Sequence, residues 1–248
     1  MQIRVNGLII MESSLGERDK LITILSKENG LLRAIVRGAK SIRNKNTVAT
    51  QLFAYSQLIL YKNRNGYIVD EADVQEIFFG LRDDICKLGL AQYFCEIALA
   101  LSPENGDAGD FLRLMLNAFY YIINEKRKQN LIKSVVEIKM SELAGYMPDI
   151  VHCCKCGKYE DDVMYLCAED GKLYCNACKG KSSFLLFPLG KAALTAFRYI
   201  LYSPFEKIFN FNINDKSLEE LNNASEKYII SRTDRSFNTL DFYKSMKN

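Results

Sequence analysis

Cys153-Cys154-Lys155-Cys156-Gly157, and then Cys175-Asn176-Ala177-Cys178 with eighteen residues between Cys156 and Cys175, give the chain two facing Cys-x-x-Cys pairs. Placed on tight turns, two such pairs offer four thiolates to one tetrahedral Zn²⁺ at about 2.3 Å per Zn–S bond. Between them, Val163-Met164-Tyr165-Leu166 and Lys172-Leu173-Tyr174 are joined through Glu169-Asp170-Gly171 and read as a short β-hairpin. A zinc ribbon over about 150–182 is the expectation, with Cys153, Cys156, Cys175 and Cys178 as ligands to one structural Zn²⁺. The same cysteines can also be read as two disulfides, a redox pair or unconnected buried thiols. A redox Cys-x-x-Cys opens a helix in a βαβ setting, which this segment lacks. Cys154 and Cys167 allow other ligand sets, and His152, the one histidine of the chain, adjoins Cys153. Spacing favours the four named cysteines, which already fill the tetrahedron. A metal so held has no open position for water and acts as a fold support, not a Lewis acid.

Outward from the ribbon the apolar spacing is helical. Upstream, Phe78 to Leu101 reads as one or two helices ended by Ser102-Pro103, with a second helix capped by Asp110 and a third from about Leu131 to Ala144. Downstream, Phe184 to Pro188 is a short strand or extended linker. Helical spacing then resumes over about Lys191–Tyr202 and Ser217–Ile230. The stripes are broad, so the helices are expected to form a bundle with its own core.

Before Val74 the period is two. Leu8–Met11, Leu21–Leu25, Leu31–Val36, Gln57–Tyr61 and Tyr67–Val69 are candidate strands, with Asn29-Gly30 and Asn65-Gly66 as hairpin turns. Five short strands in about seventy residues suggest a small barrel of the OB type, although an SH3-like barrel or an open sheet fits the same pattern. The expected organisation is α+β: an OB-fold nucleic-acid-binding domain over residues 1–76, then an α-helical domain over 77–248 with the ribbon inserted.

Charge is concentrated at the front. Residues 1–70 carry eleven Lys or Arg against five Asp or Glu, and the remainder twenty-two against twenty-five. No carboxylate occurs between Glu28 and Asp70, a segment holding Arg33, Arg37, Lys40, Arg43, Lys45, Lys62 and Arg64. Such a run attracts polyanions whatever their sequence. Within it, Gly38 to Thr47 is polar, basic and aperiodic, and is expected to be mobile when free. Phe53, Tyr55, Tyr61 and Tyr67 can stack on bases, but aromatics on strands more often fill the core.

At 248 residues and 48% hydrophobic content the chain can support two or three ordinary cores. No apolar run reaches the length of a membrane span, so a cytoplasmic address with reduced cysteines is expected. Neither a phosphate-binding Gly-x-x-x-x-Gly-Lys-Ser/Thr loop nor a dinucleotide fingerprint occurs. Glu12, Glu17 and Asp19 make a weak case for a nuclease metal site. Binding without catalysis is the reading that survives, and its rival is a zinc-stabilised protein–protein adaptor without direct DNA binding.

Leu15-Gly16-Glu17-Arg18-Asp19-Lys20-Leu21-Ile22-Thr23-Ile24-Leu25-Ser26-Lys27-Glu28-Asn29-Gly30-Leu31-Leu32-Arg33, then Val36-Arg37-Gly38-Ala39-Lys40 and the four ribbon cysteines, resemble the RecO family of bacterial recombination mediators. The resemblance extends over the whole chain in domain order. It implies a DNA-repair protein that binds single- and double-stranded DNA through an OB-fold and anneals complementary strands. It also implies work with RecR, contact with the acidic C-terminal tail of single-stranded DNA-binding protein, and help in loading RecA onto coated strands. Joined to the charge reading, it makes Arg33, Arg37, Lys40, Arg43 and Lys45 DNA-facing, with Lys62 and Arg64 of the same run. A groove for the acidic tail needs a cation, with Arg113, Arg127 or Arg198 as the choices.

Overall fold

A computed structural model of the chain describes residues 1–41, 44–63 and 66–247. The expected turn residue Asn65 and the cations Arg43 and Arg64 lie outside the described residues. Five strands come first: β1 (Gln2–Leu15), β2 (Asp19–Ser26), β3 (Gly30–Val36), β4 (Ala54–Asn63) and β5 (Gly66–Ile77). They close into a barrel in the order β1-β2-β3-β5-β4. All neighbours are antiparallel except β3 and β5, which run parallel with Ala34 opposite Tyr67 and Ile35 opposite Ile68. This five-stranded closed Greek key is the OB-fold and decides among the barrel readings left open by the pattern.

Alternation sorts each strand into an inside and an outside. On β3, Leu32, Ala34 and Val36 enter the barrel core with Ile22, Ile24 and Leu58, while Arg33 points out. Register shifts at Ile9/Met11 on β1 and between Val69 and Glu71 on β5 let these two long strands wrap around the closure. Leu8, Ile10, Leu25 and Phe53 are buried yet stand apart from the barrel-core cluster. They belong to a second apolar layer beneath α1 (Ile85–Leu101) and α2 (Gly109–Ile123), which pack on β1 and β2. Phe119 of α2 meets the rings of Phe53 and Phe78 edge-on at 5.4 and 5.3 Å. Asp84 caps α1 by accepting the Lys87 N–H at 2.9 Å. At α2 the capping contact comes from Asp107, which accepts the Gly109 N–H at 2.8 Å, and Asp110 lies inside the first turn.

The Asn29-Gly30 turn differs from a two-residue hairpin. Ser26 pairs with Gly30 across the intervening Lys27, Glu28 and Asn29, and only Gly30 has positive φ, at 66°. This is the three-residue loop with a left-handed glycine. A Cβ on Gly30 would lie 2.2 Å from the Pro103 carbonyl oxygen, which already accepts the Leu31 N–H at 2.8 Å. Gly30→Ala should therefore lose about 2–5 kcal/mol, combining left-handed strain with overpacking. Gly16→Ala, at φ 64° with nothing within 4 Å of the added atom, should lose only about 1 kcal/mol. Urea unfolding midpoints of the two variants test the difference.

The remaining elements are α3 (Gln129–Leu143), β6 (Asp149–Cys153), β7 (Val163–Cys167), β8 (Lys172–Cys175), β9 (Leu186–Gly190), α4 (Lys191–Tyr202), α5 (Asp215–Thr233) and α6 (Asn238–Lys247). The small sheet has the order β6-β8-β7-β9, so the segment from Leu186 is a strand rather than a linker. The chain forms two compact units, Met1–Ile123 with Thr239–Asn248, and Asn124–Asn238. Strands give way to helices after Ile77, whereas the compact units divide at Ile123, because α1, α2 and α6 share contacts with the barrel unit. In the second unit, α3, α4 and α5 pack on one another and α5 lies against β9. No helix among the described residues is long and apolar enough to cross a membrane.

Candidate metal centre and nucleic-acid interface

The hairpin of β7 and β8 pairs Met164 with Cys175 and Leu166 with Leu173. One cysteine pair straddles the end of β6 and the other the end of β8. Each pair is folded by a tight turn: Gly157 N–H donates to the Cys153 carbonyl at 2.9 Å, and Cys178 N–H to the Cys175 carbonyl at 3.0 Å. Gly157 takes φ 74°, which lets the first turn reverse. The sulfurs of Cys153, Cys156, Cys175 and Cys178 all lie within 4.8 Å of one another, with Cys156 and Cys175 Sγ 3.6 Å apart. A tetrahedron with about 2.3 Å metal–sulfur bonds has edges of about 3.8 Å, so the four thiols fit one ion. Among the described residues this is the one group of three or more potential ligands.

Two arginines brace the ribbon. Arg198 of α4 donates to the carbonyls of Ile150, Val151 and Tyr159 at 2.9, 2.8 and 2.8 Å and lies over the Tyr159 ring. Arg232 of α5 donates to the carbonyls of Ala168 and Glu169. Burial pushes the Cys153 thiol up, but the amides of Cys175, Lys155 and Cys156 together pull it down to about 6. Burial and the neighbouring thiols push Cys178 up to about 12. Cys154 N–H donates to the Leu173 carbonyl, and its sulfur faces the Tyr174 hydroxyl. The Cys167 thiol donates to Glu169 and is pushed up to about 11, mainly by burial. His152 Nδ1 lies 3.3 Å from the Cys153 carbonyl oxygen. These three residues stand outside the four-sulfur group.

On the barrel, Arg33 and Arg37 are exposed, Arg33 on the outer face of β3 and Arg37 one residue past its end. In the described part of the loop that follows, several polar side chains have partners. Asn46 donates to the Asp70 carbonyl and accepts from the Ala72 N–H, Thr47 donates to the Ala39 carbonyl, and buried Thr50 donates to the Asn46 carbonyl. Lys40 is exposed, and its Nζ donates to the Gly16 carbonyl at 3.1 Å. Arg33, Arg37 and Lys40 thus share the region where β3 leaves the barrel, and none makes an ion pair among the described residues. Lys45 is drawn elsewhere, to Glu71 on β5 at 3.2 Å. Lys62 lies over the Tyr67 ring at 5.7 Å, near the far end of β4.

Where the acid-free run ends, β5 carries Asp70, Glu71, Asp73 and Glu76 exposed on one strand. Pairing with β4 brings this acidic stretch onto the same barrel as the cations. Of the four barrel aromatics, Phe53 is buried, Tyr67 packs against the core and Tyr55 is half-buried, so only Tyr61 shows most of a ring face. Glu12 pairs with Lys20 and Asp19 accepts the Gly38 N–H, so these carboxylates are not gathered with Glu17 into a metal-binding group. Arg127 donates to the Phe209 carbonyl and Asn210, and Arg198 serves the ribbon, whereas Arg113 lines a groove of about 400 Å³ with Lys27, Leu112 and Leu116 and with the carboxylates of Asp107 and Asp110.

Comparison with known proteins takes in both halves. Residues 1–78 match the family model described as "Recombination protein O N terminal", and residues 82–241 match "Recombination protein O C terminal". The chain is similar to proteins named "DNA repair protein RecO" from several bacteria. That of Acetivibrio thermocellus is 31% identical over 244 residues, covering 98% of this chain and 97% of the relative. That of Alkaliphilus metalliredigens is 27% identical over 247 residues, 99% of this chain and all of the relative. That of Thermoanaerobacter sp. is 26% identical over 247 residues, 99% and 98% of the two chains. With the barrel falling to one model and the helices and cysteine ribbon to the other, this chain belongs to the RecO family of DNA repair proteins.

Proposed function

We propose that the chain is a DNA-binding recombination mediator that breaks no bonds. Its barrel grips the phosphodiester backbone of single and double strands and anneals complementary strands. With RecR it helps load RecA onto strands coated by single-stranded DNA-binding protein. The observation that carries the reading is the cationic edge formed by Arg33, Arg37 and Lys40, exposed and without an acidic partner among the described residues. Screening two phosphate backbones at once is the physical requirement for annealing, and fixed cations on a rigid barrel supply it. The ion in the ribbon is zinc, held by four thiolates, and it shapes the second unit without entering chemistry. For the acidic tail of single-stranded DNA-binding protein the groove offers the cations Arg113 and Lys27 beside Leu112 and Leu116, against the opposing charge of Asp107 and Asp110.

Binding of a labelled oligonucleotide as a function of salt tests this. Log K should fall with log salt by about 0.7 per phosphate contacted on single strands. The combined Arg33→Ala, Arg37→Ala and Lys40→Ala protein should bind more weakly, with a slope shallower by about 2 and little change in sequence preference. Absence of wild-type binding at low salt would favour the adaptor reading, for which the acidic β5 strand offers a surface. An annealing assay on protein-coated complementary strands separates mediation from simple binding.

A further inference from the structure

The turn between β1 and β2 and the loop leaving β3 are joined at three points. Asp19 opens β2 beside the end of β3, since its neighbour Lys20 pairs with Val36. Its carboxylate Oδ1 accepts the Gly38 N–H at 2.8 Å. The Lys40 N–H donates to the Arg18 carbonyl at 3.2 Å, and Lys40 Nζ donates to the Gly16 carbonyl at 3.1 Å. Gly38 takes φ 61°, so the chain reverses sharply between Arg37 and Lys40. Asn44 closes the loop from the other side by donating to the Arg37 carbonyl at 2.7 Å.

A carboxylate on a face that binds phosphate repels its ligand. Asp19 holds the turn that carries Arg37 and Lys40, yet forms no ion pair with either among the described residues. The backbone amide of Gly38 takes the place of a cation as its partner. A charge-assisted hydrogen bond of this kind is stronger than a neutral one. It fixes the turn before any ligand arrives, and a loop already ordered need not be ordered on binding.

We propose that Asp19 is a positioning residue for nucleic-acid binding: by accepting the Gly38 N–H it holds the turn that presents Arg37 and Lys40, while leaving both cations unneutralised. The inference rests on the reading of this face as a phosphate-binding surface and adds a residue of the opposite charge to it. Ordinary electrostatics expects loss of the acid to strengthen DNA binding, whereas a positioning role expects the reverse.

The test uses the full chain, labelled oligothymidylate and the variants Asp19→Ala, Asp19→Asn and Asp19→Glu. Asp19→Ala should bind about tenfold more weakly despite its added positive charge, the scale of one charge-assisted hydrogen bond. Asp19→Asn keeps a side-chain oxygen that can accept from Gly38 and should bind at least as well as wild type. Asp19→Glu keeps the charge but displaces the acceptor and should weaken binding. Exchange of the Gly38 amide should speed up in the Ala and Glu variants alone, with thermal melting confirming that each protein is folded. If Asp19→Ala does not fold, the Asn and Glu pair decides: weaker binding by Asn than by Glu overturns the inference. Unchanged or tighter binding by folded Asp19→Ala also overturns it, even where the Arg33, Arg37 and Lys40 variant confirms the phosphate-binding face. A wild type without salt-dependent binding takes down both readings.

Discussion

Cys175→Ser should abolish stoichiometric zinc binding and unfold the ribbon, the largest local effect expected anywhere in the molecule. Structural tetrathiolate sites carry apparent free energies of about 10–16 kcal/mol in small peptides near neutral pH. Cys175 is almost wholly enclosed, as are Cys153 and Cys178, so no solvent ligand replaces the lost thiolate without opening the sheet. Without the ion, one end of the ribbon is held by Arg198 and the other by Arg232, through carbonyls alone. Elemental analysis should give one zinc per chain for wild type and none for the variant, and protease should cut the variant within 150–182 first. Proton release sets the sign of the pH dependence. Cys178 is pushed up to about 12 and Cys156 is raised by neighbouring thiols, so zinc must displace at least two protons from a metal-free site. Zinc affinity therefore falls as pH falls, by at least about two decades per pH unit near neutrality. It steepens below about 6, where Cys153 also takes up a proton. An affinity independent of pH, or a wild type that purifies without metal, would contradict the assignment.

Much of the metal site is legible in the cysteine spacing because its geometry is local. Each pair occupies one tight turn, and a single hairpin brings the turns together. The barrel strands are legible for a similar reason: alternation at Leu31–Val36 marks inside from outside with no knowledge of the partner strand. Closure is another matter. The β3–β5 pairing joins residues more than thirty apart in parallel, and nothing local to Ala34 or Tyr67 specifies it. The contacts of Asn46 with β5 and of Thr50 with the Asn46 carbonyl rest on single polar side chains that carry no periodic signal. A composition reading sees only a polar stretch. Helix α6 escapes notice because just Leu240 and Tyr243 are buried along it, too few to set a period. It is anchored instead by Thr239, whose N–H and hydroxyl both donate to Glu96.

Counting along the chain finds the acid-free run, but the fold places Glu71 of β5 beside Lys45 and gives Asp19 to the backbone of Gly38. Linear charge therefore overstates the cationic surface on the β5 side and misjudges an acid on the β2–β3 side. Arg198 shows the same limit. As a lone cation on a helix it invites a ligand, yet three carbonyls of the ribbon already occupy it.

Lys133→Met should destabilise the second unit by about 3–5 kcal/mol, the range for removing one partner of a buried ionic group. An exposed i,i+4 pair of Lys and Glu on a helix contributes only a few tenths of a kcal/mol. In the structure α3 is buried over Leu131–Ser141, and Lys133 is 1% exposed and Glu137 0%. Lys133 Nζ lies 2.8 Å from Glu137 and 3.0 Å from Glu226 of α5, and donates to Asn222 at 3.2 Å. Ser225 completes the network by donating to the other Glu137 oxygen at 2.6 Å. One ammonium thus stands between two carboxylates, and methionine fills its volume while leaving them facing each other. Like charge and burial then raise the carboxylate pKa in the folded variant above its unfolded value. The sign follows: the deficit is full at high pH and shrinks as pH falls through the raised value, so the variant approaches wild type in mildly acid urea titrations. Lys133→Met combined with Glu137→Leu and Glu226→Leu removes all three charges and should recover most of the loss, since apolar replacement of a whole buried triad is often neutral or better. Equal instability of the single and triple variants would show that packing of α3 on α5, and not charge, governs this core.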